Sequence, residues 1–373
     1  MAKKIKILHI IPGFGGGISS FVKNLAIGND KDEFQHDVIG FGGYPNDFIE
    51  AIASQNGNVY ALKSVYKNVI DTIMTYKQVV KQGDYDFIHC HISGIKGYFF
   101  KFLTKNARHV VIMHAHRTAD EKNSFLTKIL LPVSRLFTRS RARIYMGCSK
   151  MANAYIYGEK FIKSHQVYVI PNGVNTALFK DISQDTYLMF DKEFNVKSDD
   201  FVIGHIGRFN LQKNHLFMLE IARGLKEVNF KFKMILVGNG ELRQDIDRYI
   251  KDYDLVDNVI CVGYRKDIPQ LIQYFDLFIL PSHFEGLPTV AVEAQAAGTS
   301  CLLSDKITDE VDLGLGLVNF LSIDDYILWV NRIINFIPQE IPYAVRVQKL
   351  EQRGFTLKGM KYMYKKVLEA NSR

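Results

Sequence analysis

The sequence predicts an α/β protein made of two Rossmann-like domains, and three observations lead there. Short β-rich runs alternate with helical stretches along the whole chain, the pattern of parallel sheets joined by crossover helices. The length of 373 residues suits two domains better than one. The turn signal Pro171, Asn172, Gly173 closes one series of strands before a second begins.

In the first series the runs are KIKILHIIP, FQHDVIGF, NVYALK, DFIHCHI, HVVIMHAH, RIYMGCS and QVYVIPNG. In the second they are FVIGHIG, FKMILVG, NVICVGY, DLFILPS and TSCLLSD. Between them, stretches such as NHLFMLEIARGLKEV and ILWVNRIINFI carry apolar residues at three- and four-residue spacing, as amphipathic helices do. Domains are therefore expected at 1–172 and 173–353. The polar stretch 180–200 reads as an irregular connector or insertion. The tail 354–373 reads as an amphipathic helix packing back toward the first domain.

Hydrophobic residues make up 47% and charged residues 23%, a globular rather than a disordered profile. Cys90, Cys148, Cys261 and Cys301 lie far apart with no C-x-x-C pair. They read as reduced core residues, not as a disulfide framework or zinc site. The N-terminal lysines precede an apolar run that is too short for a signal peptide and meets Pro12 and glycines, so it is a better first strand. No stretch approaches the roughly 20 apolar residues that span a bilayer. A cytoplasmic location is expected.

The net charge of +8 is unevenly spread. Residues 1–180 carry 24 Lys+Arg against 12 Asp+Glu, and residues 181–373 carry 23 against 27. Within 96–150 there are 12 basic residues and two acids, Asp120 and Glu121. Such a block is a footprint for an anionic partner: nucleic acid, acidic lipid or a phosphorylated substrate. A solvated basic surface is the plain alternative. In KGYFFKFLTKNAR and LTKILLPVSRLFTRSRAR the basic residues, Arg135, Arg139, Arg141 and Arg143 among them, alternate with Phe and Leu. On helices that sets an apolar stripe beside a cationic flank, suited to an anionic membrane surface.

Ligands of open α/β sheets bind at the carboxyl ends of strands, so the residues just after each strand matter most. After DLFILPS comes HFEGLPTVAVEAQAAG, with Glu285 and Glu293 in an otherwise apolar stretch. A helix should start at Pro288 and stop at Gly298. Its first N–H groups, near Thr289 and Val290, form an anion site. Glu293, four residues past Thr289, projects from the same face, and Glu285 sits in the preceding loop. Carboxylates beside a phosphate make sense when they accept hydrogen bonds from sugar hydroxyls. The alternative is an exposed loop acid and a second acid paired with a lysine. GRFNLQKN, after FVIGHI, adds Arg208 and Lys213 at another strand end, able to neutralise adjacent phosphates. Together these groups describe a pocket for a nucleotide-diphosphate sugar.

VVIMHAHRT carries His114 and His116, two apart and so on one strand face. A strand-end histidine is usually structural. His89 and His91 alternate likewise and read as structural or acceptor-side. With no carboxylate at ligand spacing, and Arg and Lys available for phosphate, no metal is required. GNGEL at 238–242 is no dinucleotide fingerprint.

The order G-R-x-x-x-x-K, V-G-x-G, E-G-x-P-x-x-x-x-E-A-x-A-x-G resembles the retaining glycosyltransferases of family four, which have the GT-B fold. GGGISSFVKNLA resembles their glycine-rich first loop, DFIHCHISG their D-h-h-H-x-H strand, and VIPNGVN their interdomain turn. The length and the HAH element look most like capsular or exopolysaccharide enzymes. The resemblance implies two Rossmann-like domains facing across a cleft, with the donor on the second. It implies transfer of a hexosyl or N-acetylhexosaminyl group, with retention, from a nucleotide-diphosphate donor, UDP-sugar expected. The acceptor would be lipid-linked or a saccharide, in capsule, exopolysaccharide or other glycoconjugate assembly at the cytoplasmic membrane face.

By the same resemblance Arg208 and Lys213 would hold the diphosphate, Glu285 the sugar hydroxyls and Glu293 the ribose. Backbone from Gly286 through Leu287 and Thr289 to Val290 would face phosphate and sugar. Gly16 and Gly17 would let the first loop approach the phosphate, and Tyr264 and Arg265 would flank the base. His116, ahead of His114, would lie beside the transferred sugar. One departure is SDKITDEVDLGLGLVNF, which keeps Glu310 and Asp312 but lacks the small-residue turn of many relatives. The competing readings are a GT-B sugar-nucleotide epimerase or phosphorolytic relative, and a nucleic-acid binder. For the last, the basic block lacks a recognition motif and regular aromatic interleaving.

Overall fold

The computed structural model describes residues 4–14, 16–28, 31–63, 68–104, 109–118 and 125–371. The chain divides into two units, Met1–Gly173 with Gly354–Arg373, and Val174–Arg353.

The first unit holds a sheet of order β3-β2-β1-β4-β5-β6-β7, every described pairing parallel. Its strands are β1 Ile5–Ile11, β2 Phe34–Phe41, β3 Val59–Leu62, β4 Phe87–Cys90, β5 Val110–Ala115, β6 Ile144–Gly147 and β7 Val167–Val169. The central strands are buried along nearly their whole length. That is why they read as continuous apolar runs, since helices cover both faces of a parallel sheet. Phe21, Val22 and Leu25 of the helix Gly17–Gly28 share a core with Ile7, Val38 and Ile112 of the sheet. Met360, Tyr364 and Leu368 of the helix Leu357–Asn371 join the same core, at the four-residue spacing of one helix face.

The second unit holds a sheet of order β10-β9-β8-β11-β12-β13, again parallel. Its strands are β8 Phe201–Ile206, β9 Phe232–Val237, β10 Val259–Gly263, β11 Leu277–Leu280, β12 Ser300–Ser304 and β13 Val318–Leu321. Met218, Leu219 and Leu225 of the helix His215–Glu227 pack with Trp329 and Ile333 of the helix Tyr326–Ile334 on one face.

Two elements differ from the sequence reading. The stretch 180–200 is not irregular: it contains the helix Gln184–Phe194, capped by the Ser183 hydroxyl accepting from the Thr186 N–H at 3.3 Å. Phe190 and Phe194 bury one turn apart against Tyr274, and these two aromatic anchors hold the helix to the second unit. The strand β13 pairs with β12 but escaped the sequence reading, because VNFL is short and follows glycine-rich turns. The strands β4 and β5 also stop early, leaving His91 and His116 one residue beyond them.

In each sheet the strand order reverses about a central strand, β1 between β2 and β4, and β8 between β9 and β11. Side chains past the carboxyl ends at such a switch point line the natural crevice of the fold.

Candidate functional site

At the end of β8 the chain passes through Gly207 and Arg208 into a 3-10 turn, Leu211–Lys213. The Asn210 side chain caps that turn, accepting from the Lys213 N–H at 3.1 Å, and Asn214 closes it in the left-handed region. The turn aims Lys213 across the adjacent end of β11. Its Nζ lies 2.6 Å from Glu285 Oε1, with side chains only 15% and 9% exposed. Ser282 Oγ donates to the same oxygen at 2.7 Å, and Gln212 Nε2 donates to Oε2 at 3.2 Å. Gln212 also donates to the Phe284 carbonyl at 2.9 Å and accepts from the His283 N–H at 2.9 Å, locking the two loops together. A charge so placed is stable only because its partner and hydrogen bonds are present.

The sequence reading gave Lys213 and Glu285 separate duties; here they form one pair. Gln212 and Ser282 were missed, and only their nearness to the two charged residues could have flagged them. The Lys213 side chain passes close over Gly207: a Cβ there would come within 3.1 Å of Lys213 Cε and 2.8 Å of His205 Nε2. Arg208 is exposed and pairs through Nε and Nη2 with Glu241 Oε2, both at 3.2 Å. The GNGEL loop therefore supplies an acid to the arginine. Gly238, at φ +134°, lets that loop sit directly on the Gly207 carbonyl.

The helix Thr289–Ala297 follows, with Pro288 as its cap residue and Gly298 ending it at φ +86°. Gly286, Leu287, Thr289, Val290 and Glu293 are all partly exposed. No hydrogen bond or ion pair engages the Glu293 side chain among the described residues, and burial pushes its carboxyl up to about 7. The two acids thus differ sharply: Glu285 is fully partnered, Glu293 is not. Past β10, Tyr264 is 82% exposed, whereas Arg265 is tied to Glu193 and Asp267 and lies over the Phe194 ring.

In the first unit Gly16 adopts φ +89° and its carbonyl accepts from Ser19 Oγ at 2.9 Å, opening the helix that starts at Gly17. Beside it lies a cluster of six imidazoles on neighbouring strands: His36, His9, His89, His91, His114 and His116. His9 Nε2 meets His36 Nδ1 at 2.9 Å, His9 Nδ1 meets His91 Nε2 at 3.1 Å, and His91 Nδ1 meets His116 Nε2 at 2.8 Å. A second line joins Tyr364 Oη to His89 Nδ1 at 2.8 Å and His89 Nε2 to His114 Nδ1 at 3.1 Å. The Phe21 ring packs against four of the six.

Burial holds His9, His89, His91 and His114 far below the ordinary imidazole range, and lowers His36 and His116 to about 3. His116 is the partly exposed member; His114 is buried, and its Nε2 has no hydrogen-bond partner among the described residues. One nitrogen each of His9, His89 and His91, or of His91, His114 and His116, lie within 4.8 Å of one another, so either trio could hold a metal ion. The sequence reading used four of these residues and missed His9 and His36. Only the register of β1 and β2 reveals them.

Two family models match the chain: Glycosyltransferase Family 4 over residues 15–178 and Glycosyl transferases group 1 over residues 189–309. A protein of Bacillus subtilis (strain 168) named as the glycosyltransferase EpsF is 31% identical over 336 residues, covering 88% of this chain and 86% of that one. This chain belongs to the family 4 and group 1 glycosyltransferases. The UDP-Gal:alpha-D-GlcNAc-diphosphoundecaprenol alpha-1,3-galactosyltransferase of Escherichia coli is 29% identical over 247 residues, 65% of this chain and 63% of that one. The crystal structure of Anabaena HepE in complex with UDP-glucose matches the glycosyltransferase with a TM-score of 0.80 at 18% identity, over 98% of this chain and 100% of that one. The fold of the glycosyltransferase is GT-B.

The basic block of this glycosyltransferase is less free than its composition suggests. Arg135 Nε donates to the Tyr155 carbonyl at 2.9 Å, and Arg139 donates to the Tyr157 carbonyl and stacks on Phe161. Both therefore cap the last turn of the helix Lys150–Tyr157, where carbonyls lack intrahelical partners. Lys101 is buried and donates to the Phe137 and Thr138 carbonyls near the end of the helix Phe125–Arg139. Arg141 lies over the Phe102 ring, and Arg143 and Lys150 are exposed. Ile129, Leu130, Val133 and Leu136 are each about half exposed or more, at helix spacing on one face. Lys105, Arg108, Asp120, Glu121 and Lys122 lie outside the described residues, as does the Lys128 side chain. Among the described residues no helix is long and apolar enough to cross a membrane.

Proposed function

We propose that this glycosyltransferase moves a hexosyl or N-acetylhexosaminyl group from a UDP-sugar to a lipid-linked saccharide, with retention of configuration, in capsule, exopolysaccharide or related glycoconjugate assembly. The observation that carries the reading is the carboxylate of Glu285 held by Lys213, Ser282 and Gln212 at the switch point of the second sheet. Supporting the choice of substrates, the Escherichia coli relative is named for a UDP-galactose donor and a diphosphoundecaprenol-linked acceptor, and Anabaena HepE was crystallised with UDP-glucose.

In this reading Arg208 and Lys213 stabilise the charge that develops on the leaving diphosphate, assisted by the N-terminal N–H groups of the helix Thr289–Ala297. Arg208 would exchange Glu241 for phosphate. Glu285 accepts from hydroxyls of the transferred sugar, and Glu293 from the ribose. The backbone from Gly286 to Val290 faces phosphate and sugar, Tyr264 and Arg265 border the base, and Gly16 and Gly17 leave room for phosphate. His116 serves the transferred sugar. Glu285, the carboxylate between the β8 and β11 ends, is already engaged by Lys213, Ser282 and Gln212, and so makes a poor covalent nucleophile. Attack from the face of departure is therefore the simpler route to retention. The cations make a metal at the diphosphate unnecessary.

The test is transfer from UDP-, GDP- and ADP-sugars to a diphosphate-linked lipid saccharide, with and without EDTA, alongside thermal shifts with the free nucleotides. The proposal expects UDP preference, acceptor-dependent turnover and full activity in chelator. Donor turnover that ignores the acceptor, or activity lost in EDTA and restored by manganese, would overturn it.

A further inference from the structure

The sequence His36, His9, His91, His116 runs across four adjacent strands, β2, β1, β4 and β5, as an unbroken line of hydrogen bonds between ring nitrogens. A β core would normally be filled with Val and Ile, because each buried polar group costs free energy unless fully satisfied. Here His9 and His91 spend both ring nitrogens within the line.

A neutral imidazole carries one N–H and one lone pair. The connection pattern, Nδ1 of one ring to Nε2 of the next throughout, then allows only two self-consistent arrangements. If His116 donates from Nε2 to His91 Nδ1, His91 must hold its own proton on Nε2 and donate to His9 Nδ1. His9 in turn donates from Nε2 to His36 Nδ1, and His36 keeps its proton on Nε2. All four rings are then Nε2–H. In the reverse arrangement all four are Nδ1–H. Any mixture sets two N–H groups or two lone pairs face to face inside the core. Burial keeps all four rings neutral around pH 7, so the variable of this line is proton position, not charge.

We propose that His91, His9 and His36 are positioning residues that fix the tautomer of His116, so that its outward nitrogen, Nδ1, meets the sugar in one defined hydrogen-bonding role. The role of His116 toward the sugar rests on the function proposed above; the locked tautomer does not. His116 Nδ1 has no hydrogen-bond partner among the described residues, which leaves it available to a substrate hydroxyl. The line reaches it from a strand three places away, farther than any single contact could.

The experiment is a two-bond proton–nitrogen correlation on the purified, full-length glycosyltransferase labelled with 15N-histidine, assigned by single substitutions. The expected result is four neutral rings sharing one tautomer. In His9→Phe, which cuts the line, and in His36→Phe, which removes its far end, His116 should relax to a mixture. In both variants kcat should fall about tenfold with donor KM unchanged, since positioning acts on the transition state more than on binding. Mixed tautomers in the wild-type line would overturn the proposal without needing any variant to fold. So would an unaltered His116 tautomer in both variants, or a transition metal found at one per chain in the purified protein. If the tautomers behave as expected while His116→Ala leaves turnover intact, it is the sugar-facing role that fails, and with it the kinetic part of this proposal.

Discussion

At the carboxyl ends of β8 and β11 the glycosyltransferase buries a full charge pair, whereas across β2, β1, β4 and β5 it gathers six imidazoles that stay neutral. Glu285 is tolerated because Lys213, Ser282 and Gln212 converge on it. The histidines are tolerated because burial strips their charge and each ring finds a neighbour. Two physical solutions to the same cost predict two modes of failure. A charge pair fails abruptly when one partner leaves, since an uncompensated ion remains. A neutral line fails gradually, through lost orientation.

The largest expected effect is therefore at the charge pair. Lys213→Ala strands the Glu285 carboxylate and should cost about 3–5 kcal/mol of stability, as breaking buried pairs does. Transfer should fall by roughly 10²–10³, the loss typical of one electrostatic contact to a developing charge. Glu285→Gln keeps the shape and should spare the melting temperature more than Lys213→Ala while still lowering turnover. Denaturation curves beside transfer rates decide the matter. A Lys213→Ala variant with wild-type stability would erase the contrast.

His116→Ala comes next. Turnover should drop by roughly 10–10³-fold with donor affinity little changed, as for an interaction that strengthens in the transition state. His114→Ala is the control: it removes a buried ring bonded to His89 and should show mainly as lost stability. Equal kinetic losses at both positions would reduce the histidines to packing.

Glu293 sharpens the comparison from within the second unit, as an acid that burial affects and that no partner among the described residues compensates. Its folded pKa of about 7 lies above the ordinary carboxyl value near 4.3. The raised value means the folded state holds the proton more tightly. Its stabilising effect is full below about pH 4.3 and is lost as pH climbs through 7. Glu293→Gln should thus melt like wild type in acid and higher than wild type at pH 8. It should also weaken nucleotide binding by about 1.5–3 kcal/mol, the worth of a charge-assisted hydrogen bond. Calorimetry with UDP and pH-resolved melting separate these outcomes, and unchanged UDP affinity would remove Glu293 from the ribose.

How much of this was legible depends on the range of each interaction. The α/β class and most strands follow from local apolar runs. The stop at Gly298 follows from the ease with which glycine ends a helix in the left-handed region. The pairing of Lys213 with Glu285 links residues in different loops, 72 positions apart, and follows only from the adjacency of β8 and β11. The histidine line needs the register of four strands at once. The helix Gln184–Phe194 was hidden because its polar face dominates its composition, and Phe190 and Phe194 matter only once Tyr274 is beside them. Arg135 and Arg139 looked like surface charge because a carbonyl at a helix end leaves no mark in sequence.

That last point sets the smallest expected effect. Ile129, Leu130, Val133 and Leu136 form an exposed apolar face, and Arg141, Arg143 and Lys150 are exposed cations. Together they suit the anionic membrane surface expected from the sequence, where apolar residues would insert and each nearby cation would add about 1 kcal/mol, screened by salt. Arg135 and Arg139 should not count toward that sum, because their guanidinium groups are engaged with the carbonyls of the helix Lys150–Tyr157. Sedimentation with anionic but not neutral vesicles is expected, and it should be lost at high salt. Arg141→Gln and Arg143→Gln should each weaken it roughly fivefold, the equivalent of about 1 kcal/mol. Serine at the four apolar positions should abolish it without altering the melting temperature. Arg135→Gln and Arg139→Gln should do the reverse, lowering the melting temperature while leaving vesicle binding near wild type. If all four arginines weakened binding alike and none affected folding, the basic block would be a plain charged surface and the capping contacts would carry no energy.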